Sequence, residues 1–185
     1  MGKRLFVSID LDGLGEEVAD LQDRFSDVPG LKMTDPEQAH VTLQFLGDAP
    51  SHRVEDIVEA LDDAVAEAGV GPFTAEFGGL GVFPSLDYIS VIWLGVEAGS
   101  EEMTALQAAI EPRVVELGFE ESDHDFTPHV TLARMEHAGG KEQVQQTVQE
   151  EDPTAGTLDV EEVQLTESEL TEDGPEYATL ERFEL

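Results

Sequence analysis

His40-Val41-Thr42-Leu43 and His129-Val130-Thr131-Leu132 are one four-residue phrase written twice in a chain of 185 residues. Alternate side chains of a β-strand share a face. Each copy therefore puts histidine and threonine on one side and valine and leucine on the other. The apolar pair anchors in a core while the polar pair faces a cleft. Two such strands side by side would present two imidazoles and two hydroxyls to one small site.

The surroundings of the two copies echo each other. Ahead of the first, Arg4 to Asp10 reads as a strand, and Leu14, Val18, Leu21 and Phe25 recur at helical spacing. Leu31 to Thr34 is a short extended piece, Asp35-Pro36-Glu37 a turn, and His40 to Leu46 a strand closed by Gly47-Asp48. A second helix carries Val54, Ile57, Val58, Leu61 and Val65, with Ser51 as its N-cap. Phe73 to Phe77 is a strand, and Gly78 to Pro84 a loop or bulged strand. Its glycines lack the Lys-Ser/Thr and helix start of a phosphate loop. Tyr88 to Gly95 is a central strand. A third helix, capped by Ser100, places Met103, Leu106, Ile110, Val114 and Leu117 on one stripe, with a kink expected at Pro112 and Gly118 at its end. Phe126-Thr127-Pro128 delivers the second phrase. A weak helix from Glu142 to Glu150 and two strands, Leu158 to Leu165 and Tyr177 to Leu185, complete the chain. Strand, helix and His-bearing strand thus occur twice. The repeat predicts a pseudo-twofold α+β architecture, a single bilobal domain over residues 1–185.

Two histidines suit acid–base work, because imidazole alone titrates near neutrality without perturbation. One neutral ring takes a proton from water and one imidazolium protonates a leaving oxygen. For in-line displacement at phosphorus the two must flank the phosphate, which twofold placement supplies. Thr42 and Thr131 can donate to non-bridging phosphate oxygens, and Arg134 can clamp a phosphate. A single strand histidine is more often structural; the pairing of two in one phrase carries the inference. His52, His124 and His137 are expected to face solvent. No metal-ligand spacing of known type is present, so neither a metal nor a cofactor is expected.

Composition sets the limits. Hydrophobic residues make up 40%, enough for a core, and cysteine is absent, which excludes disulfides and thiolate catalysis. No apolar run nears the roughly 18 residues of a membrane span. Leu5 to Ile9, behind the basic Met1 to Arg4, is too short for a signal peptide, and Phe6 breaks the myristoylation pattern that Met1-Gly2 begins. A cytoplasmic monomer without membrane contact is expected. Acidic residues number 42 against 9 basic ones, a net charge of −33. The acids lie along the whole chain between apolar positions, as on the solvated face of a folded, salt-adapted protein. Such a chain does not coat nucleic acid, which needs a basic stripe; any RNA is held locally, by one end.

The two phrases and their flanks resemble the paired His-x-Thr motifs of the 2H phosphoesterase superfamily. Within it, the match is to the RNA 2′,3′-cyclic phosphodiesterases, also called 2′-5′ RNA ligases. RLFVSIDL resembles the family's opening strand, AHVTLQFLGD its first motif, GGLGVFPS and VIWLGV its middle, FTPHVTLAR its second motif, and the stretch from Val160 to Leu185 its closing hairpin. The resemblance implies antiparallel sheets from two lobes flanking a central cleft, with helices outside. It implies metal-independent hydrolysis of a terminal 2′,3′-cyclic phosphate on RNA or a nucleotide to a 2′-phosphate, and the reverse 2′-5′ joining. By analogy His40 is the general acid and His129 the base, with Thr42, Thr131 and Arg134 on the phosphate. Lys32-Met33 stands where the family often has a basic or aromatic residue, His124-Asp125 where arginine and proline are common, and Ser85-Leu86-Asp87 where arginines are common, which reduces basic contacts to an RNA body. The competing readings are a non-catalytic binder of phosphorylated RNA ends and a phosphodiesterase for a cyclic phosphate of ADP-ribose type.

Overall fold

The computed structural model describes residues 2–122 and 125–185. Strands β1 (Gly2–Asp10), β2 (Leu31–Met33), β3 (His40–Pro50), β4 (Phe73–Pro84), β5 (Ile89–Ala98), β6 (His129–Met135), β7 (Thr154–Val160), β8 (Glu162–Thr171) and β9 (Gly174–Glu184) form one antiparallel sheet. Its order is β7-β4-β5-β6-β3-β1-β8-β9, with the short β2 beside β6. The two His-bearing strands are adjacent at its middle and meet at one rung, Val41 opposite Val130. On either side of that join the neighbours correspond in pairs, β5 to β1, β4 to β8 and β7 to β9. The sequence repeat is therefore a spatial one, and the sheets of the two lobes are halves of a single sheet.

Four helices, α1 (Gly15–Asp23), α2 (Val54–Ala68), α3 (Ser100–Glu116) and α4 (Lys141–Glu150), supply the core on one face of the sheet. Val18 and Leu21 of α1, Ile57 and Leu61 of α2, and Leu106 and Ile110 of α3 are buried in one cluster with Leu5, Val7, Val41, Leu43, Val130 and Leu132 of the strands. Each side chain of that size, fully buried, contributes about 1.5–3 kcal/mol. A smaller cluster, Phe25, Ile89, Ile92, Ala133 and Val144, continues the layer under the second half. The opposite face of the central strands carries the polar side chains.

Several elements differ from the sequence reading. The strand expected at Leu158 to Leu165 is two strands, β7 and β8, broken at Glu161. β7 pairs with β4 at one edge of the sheet and β8 with β1 in the other half. The alternation of apolar residues changes phase across Glu161-Glu162, from Leu158 and Val160 to Val163 and Leu165, and that shift is the local mark of the break. Ser51 opens a single 3-10 turn, Ser51–Arg53, and α2 starts only at Val54. The position before α3 is Gly99, at φ 94°, and no side chain caps that helix. α3 runs unbroken through Pro112, and Gly118, at φ 99°, follows its end. Of the two readings of Gly78 to Pro84, the bulged strand holds: the stretch belongs to β4. The hairpin from β8 to β9 turns on Glu172 and Asp173, with Gly174 and Pro175 already inside β9.

Candidate active site

His40 and His129 open β3 and β6. The Val41–Val130 rung fixes their relation: one residue to either side, His40 lies across from Thr131 and Thr42 across from His129. Both valines are fully buried, so alternation sends the four polar side chains to the other face, where all four are partly exposed. Among the described residues the hydroxyls of Thr42 and Thr131 make no hydrogen bond. The four residues picked from the phrases thus come together at the join of the two half-sheets.

The fifth, Arg134, reaches the same face by a device that alternation does not reveal. Counting from His129, Arg134 would share the core face with Val130 and Leu132. β6 has a bulge instead: Thr131 pairs with Trp93, Ala133 with Ile92, and Leu132 is skipped. Arg134, opposite Val91, is thereby returned to the side of His129 and Thr131. β3 has the same bulge at the same place, since Thr42 pairs with Ser8, Gln44 with Val7, and Leu43 is skipped. It turns Phe45 to the cleft side, where the ring is 60% exposed. A glutamine supports each irregularity. Gln22 of α1 donates to the Leu132 carbonyl at 3.0 Å and the Thr34 carbonyl at 2.7 Å; Gln107 of α3 donates to the Gln44 side chain at 3.2 Å. Phe45 and Arg134 therefore occupy equivalent positions, an aromatic ring in one half and a guanidinium in the other.

The two imidazoles are held alike. Nδ1 of His40 lies 2.9 Å from the Gln38 carbonyl, and Nδ1 of His129 lies 2.7 Å from the Thr127 carbonyl. A carbonyl only accepts, so in each neutral ring Nδ1 carries the proton and Nε2 is the unprotonated nitrogen. Aromatic rings brace both. Phe6 stacks on His40 with centroids 4.9 Å apart, and Tyr177 meets it edge-on at 5.2 Å. Phe83 meets His129 edge-on at 4.9 Å, with Trp93 at 6.0 Å. Gly81 makes room for the indole: a Cβ there would lie 2.1 Å from Trp93 Cζ2. This gives Gly81 its reason.

The electrostatics of the two halves differ. Burial pushes the His40 imidazolium below the ordinary 6.5, and the Gln38 carbonyl bond and the Asp10 carboxylate oppose this only in part. Asp10 is the β1 partner of His40. Burial raises its own carboxyl, against the Ser8 hydroxyl bond at 3.0 Å and the charge of His40. The counterpart of Asp10 in the other half is Gly95, opposite His129. A small pocket of about 120 Å³ beside His40 is lined by Phe6, Asp10, Gln38, Thr166 and Tyr177. Burial raises the Tyr177 phenol, and the charges of Arg134 and Arg4 oppose that shift.

Basic residues are scarce, and most are engaged elsewhere. Lys3 pairs with Glu167, Arg24 with Glu151, Arg113 with Asp63 and Glu67, and Arg182 with Glu162. Arg53 lies over Phe119 and donates to the Leu117 carbonyl at 2.5 Å. Among the described residues Arg4, Lys32, Arg134 and Lys141 have no ion pair. Lys32 is the β2 partner of Arg134, so this lysine stands beside the cleft arginine. His52 and His137 are exposed and away from the join; His137 accepts from the Gly139 amide at 3.1 Å. His124 lies outside the described residues.

Phe45, Gln38, Asp10 and Tyr177 were not singled out from the sequence. The bulge hides Phe45. Asp10 and Tyr177 belong to the site only through the placement of β1 and β9, and Gln38, two residues ahead of His40, only through a main-chain carbonyl that its side chain does not announce.

Two histidine–threonine pairs at the dyad of an antiparallel sheet, helices on the far face and an arginine at the rim define a two-histidine phosphoesterase. The chain belongs to the 2′-5′ RNA ligase superfamily, whose family model matches residues 12–172. It is 35% identical to an RNA 2′,3′-cyclic phosphodiesterase of Methanothermobacter thermautotrophicus, over 100% of both chains. The crystal structure of TT0787 of Thermus thermophilus superposes with a TM-score of 0.81 at 30% identity, covering 98% of this chain and 97% of that one. E. coli LigT complexed with 3′-AMP shares the fold at a TM-score of 0.79 and 21% identity, over 100% and 99% of the two chains.

Proposed function

We propose that this protein hydrolyses the 2′,3′-cyclic phosphate at the 3′ end of an RNA or nucleotide, leaving a 2′-phosphate and a 3′-hydroxyl. The observation that carries the reading is the Val41–Val130 rung. It sets two His-Thr pairs about a dyad, each imidazole tethered through Nδ1 to a main-chain carbonyl. The activity named for the Methanothermobacter relative supports it.

In this reading the cyclic phosphate sits between the imidazoles, its non-bridging oxygens accepting from Thr42, Thr131 and Arg134. His129 takes a proton from water through Nε2, and the water oxygen bonds to phosphorus. The bond from phosphorus to the 3′ oxygen breaks, and protonated His40 gives its Nε2 proton to that oxygen. The division of roles follows the family resemblance; the Asp10 carboxylate opposite His40 offsets only part of the burial that disfavours its imidazolium, and glycine stands opposite His129. Exposed Phe45 offers the nucleobase a stacking surface on the His40 side. An RNA 5′-hydroxyl in place of water would form a 2′-5′ linkage on the same groups.

The test is hydrolysis of 2′,3′-cyclic AMP and of a short RNA ending in the cyclic phosphate, in molar KCl with EDTA, followed by phosphorus NMR. His40→Ala and His129→Ala should each lower kcat about 10²–10⁴-fold. Full activity in either variant overturns the reading.

A further inference from the structure

His40 and His129 share a tether of one kind, a carbonyl two residues upstream, but the carbonyls are anchored differently. Gln38 ends a 3-10 turn, Pro36–Gln38, that Asp35 caps through its side chain. Its main-chain carbonyl receives the His40 Nδ1 proton at 2.9 Å. Its side-chain amide crosses to the start of β9, donating to the Pro175 carbonyl at 3.0 Å and accepting from the Tyr177 amide at 3.1 Å. Those two backbone groups are what a neighbouring strand would engage, so the amide acts as one extra rung on β9. Tyr177, fixed in this way, lies edge-on at 5.2 Å to both His40 and Phe6. One side chain thus joins two of the three groups that hold the ring. The second half lacks this arrangement: among the described residues the Thr127 hydroxyl makes no hydrogen bond, and β7 pairs with the far end of β4, from Phe73 to Gly78, away from Phe83.

We propose that Gln38 is a positioning residue for His40, locking the β8–β9 hairpin onto the cleft and so setting the orientation and tautomer of one imidazole of the pair. The inference rests on the proposed function only for its kinetic consequence. Charged and titratable groups around His40 are Asp10 on β1, Asp12 and Glu37 at the pocket, and Tyr177 on β9, itself under the charges of Arg4 and Arg134. Thr131, across the join on β6, carries none. Burial is the largest influence on His40, and Tyr177 supplies part of it. Loosening β9 admits water and relaxes the imidazole toward its ordinary titration.

The experiment is nitrogen-15 NMR of the histidine rings in full-length protein at 2 M KCl, on the parent and on Gln38→Met, which keeps the length of the side chain and removes both amide bonds. In the parent, His40 should be the Nδ1-protonated tautomer when neutral. In the variant it should become a mixture of tautomers, with its titration moved up toward 6.5 and the His129 signals unchanged. The Tyr177 amide, slow to exchange in the parent, should exchange at least tenfold faster. Cyclic phosphate hydrolysis should fall about tenfold in kcat with KM within about twofold, and Gln38→Asn should fall between parent and Gln38→Met. An unchanged His40 tautomer and titration in Gln38→Met overturns the proposal. Fast Tyr177 exchange in the parent also overturns it, without any variant. If the parent hydrolyses no cyclic phosphate, the functional reading fails while the ring spectra still decide this one.

Discussion

Burial makes His40 harder to charge than a free imidazole, and this gives the fold a pH dependence of definite sign. The unfolded chain takes up the proton near pH 6.5, whereas burial lowers the native value. Between the two values the unfolded state binds the proton and the native state does not, so stability falls as pH falls through that window. Above 6.5 both forms are neutral and His40 contributes nothing to the slope. Asp10 works in the opposite direction: raised by burial, it loses stability as pH rises from 3.8 through its native value. The carboxylates elsewhere add their own acid dependence, so the comparison must be differential. Urea midpoints at pH 7.5 and pH 5, in molar KCl, should drop more for the parent than for His40→Gln. Equal drops would mean that His40 titrates in the native state as it does in the unfolded one.

The elements show where sequence reading worked and where it stopped. Alternation in HVTL places His40, Thr42, His129 and Thr131 on one face because the first three residues of each strand are regular. One residue further on, the bulge at Leu43 and at Leu132 reverses the count. Strict alternation would bury Phe45 and Arg134, and the structure exposes both. Arg134 was recoverable because a cation in so acidic a chain draws notice; an exposed phenylalanine beside core leucines carried no such mark. Tyr177 and Gln38 meet across more than a hundred residues, so no local pattern could join them. At the level of helices, α3 carries a defect the rest of the fold tolerates. Pro112 is exposed and inside the helix, where it cannot donate to the carbonyl of Ala108 and its ring crowds that turn. Interior proline costs about 3 kcal/mol, offset by its stiffening of the unfolded chain by about 0.4–1 kcal/mol. Pro112→Ala should therefore stabilise the protein by about 2–2.6 kcal/mol, read as a melting point higher by about 4–10 °C for a chain of this size. A lower melting point would show that the proline fits a bend the packing needs.

Over the whole molecule, net charge decides the conditions under which everything above holds. The nine basic residues cannot neutralise 42 carboxylates, and the ion pairs seen involve partly exposed groups, each of which contributes little in water. The remaining carboxylates repel one another in the compact state more than in the expanded chain. The screening length is about 10 Å at 0.1 M salt and about 3 Å at 1 M, so repulsion between surface neighbours is strong at the first and largely removed at the second. The melting point should therefore climb as KCl rises from 0.1 to 2 M. Trp93 is the one tryptophan of the chain and lies beside His129, so its fluorescence reports on the fold at the cleft itself. Substrate binding should respond with the opposite sign. An RNA end held through one or two phosphates near Arg134 and Lys32 releases as many counterions, and a tenfold rise in salt then weakens it only about 5- to 25-fold. The two dependences separate cleanly. From 0.2 to 2 M KCl the melting point should rise while KM for an RNA ending in a cyclic phosphate increases by that modest factor. A flat melting curve would show that the acidic surface is not under strain at low salt. A KM rising a thousandfold would mean that the RNA body is gripped at many phosphates, against the local, end-on binding that so few unpaired cations allow.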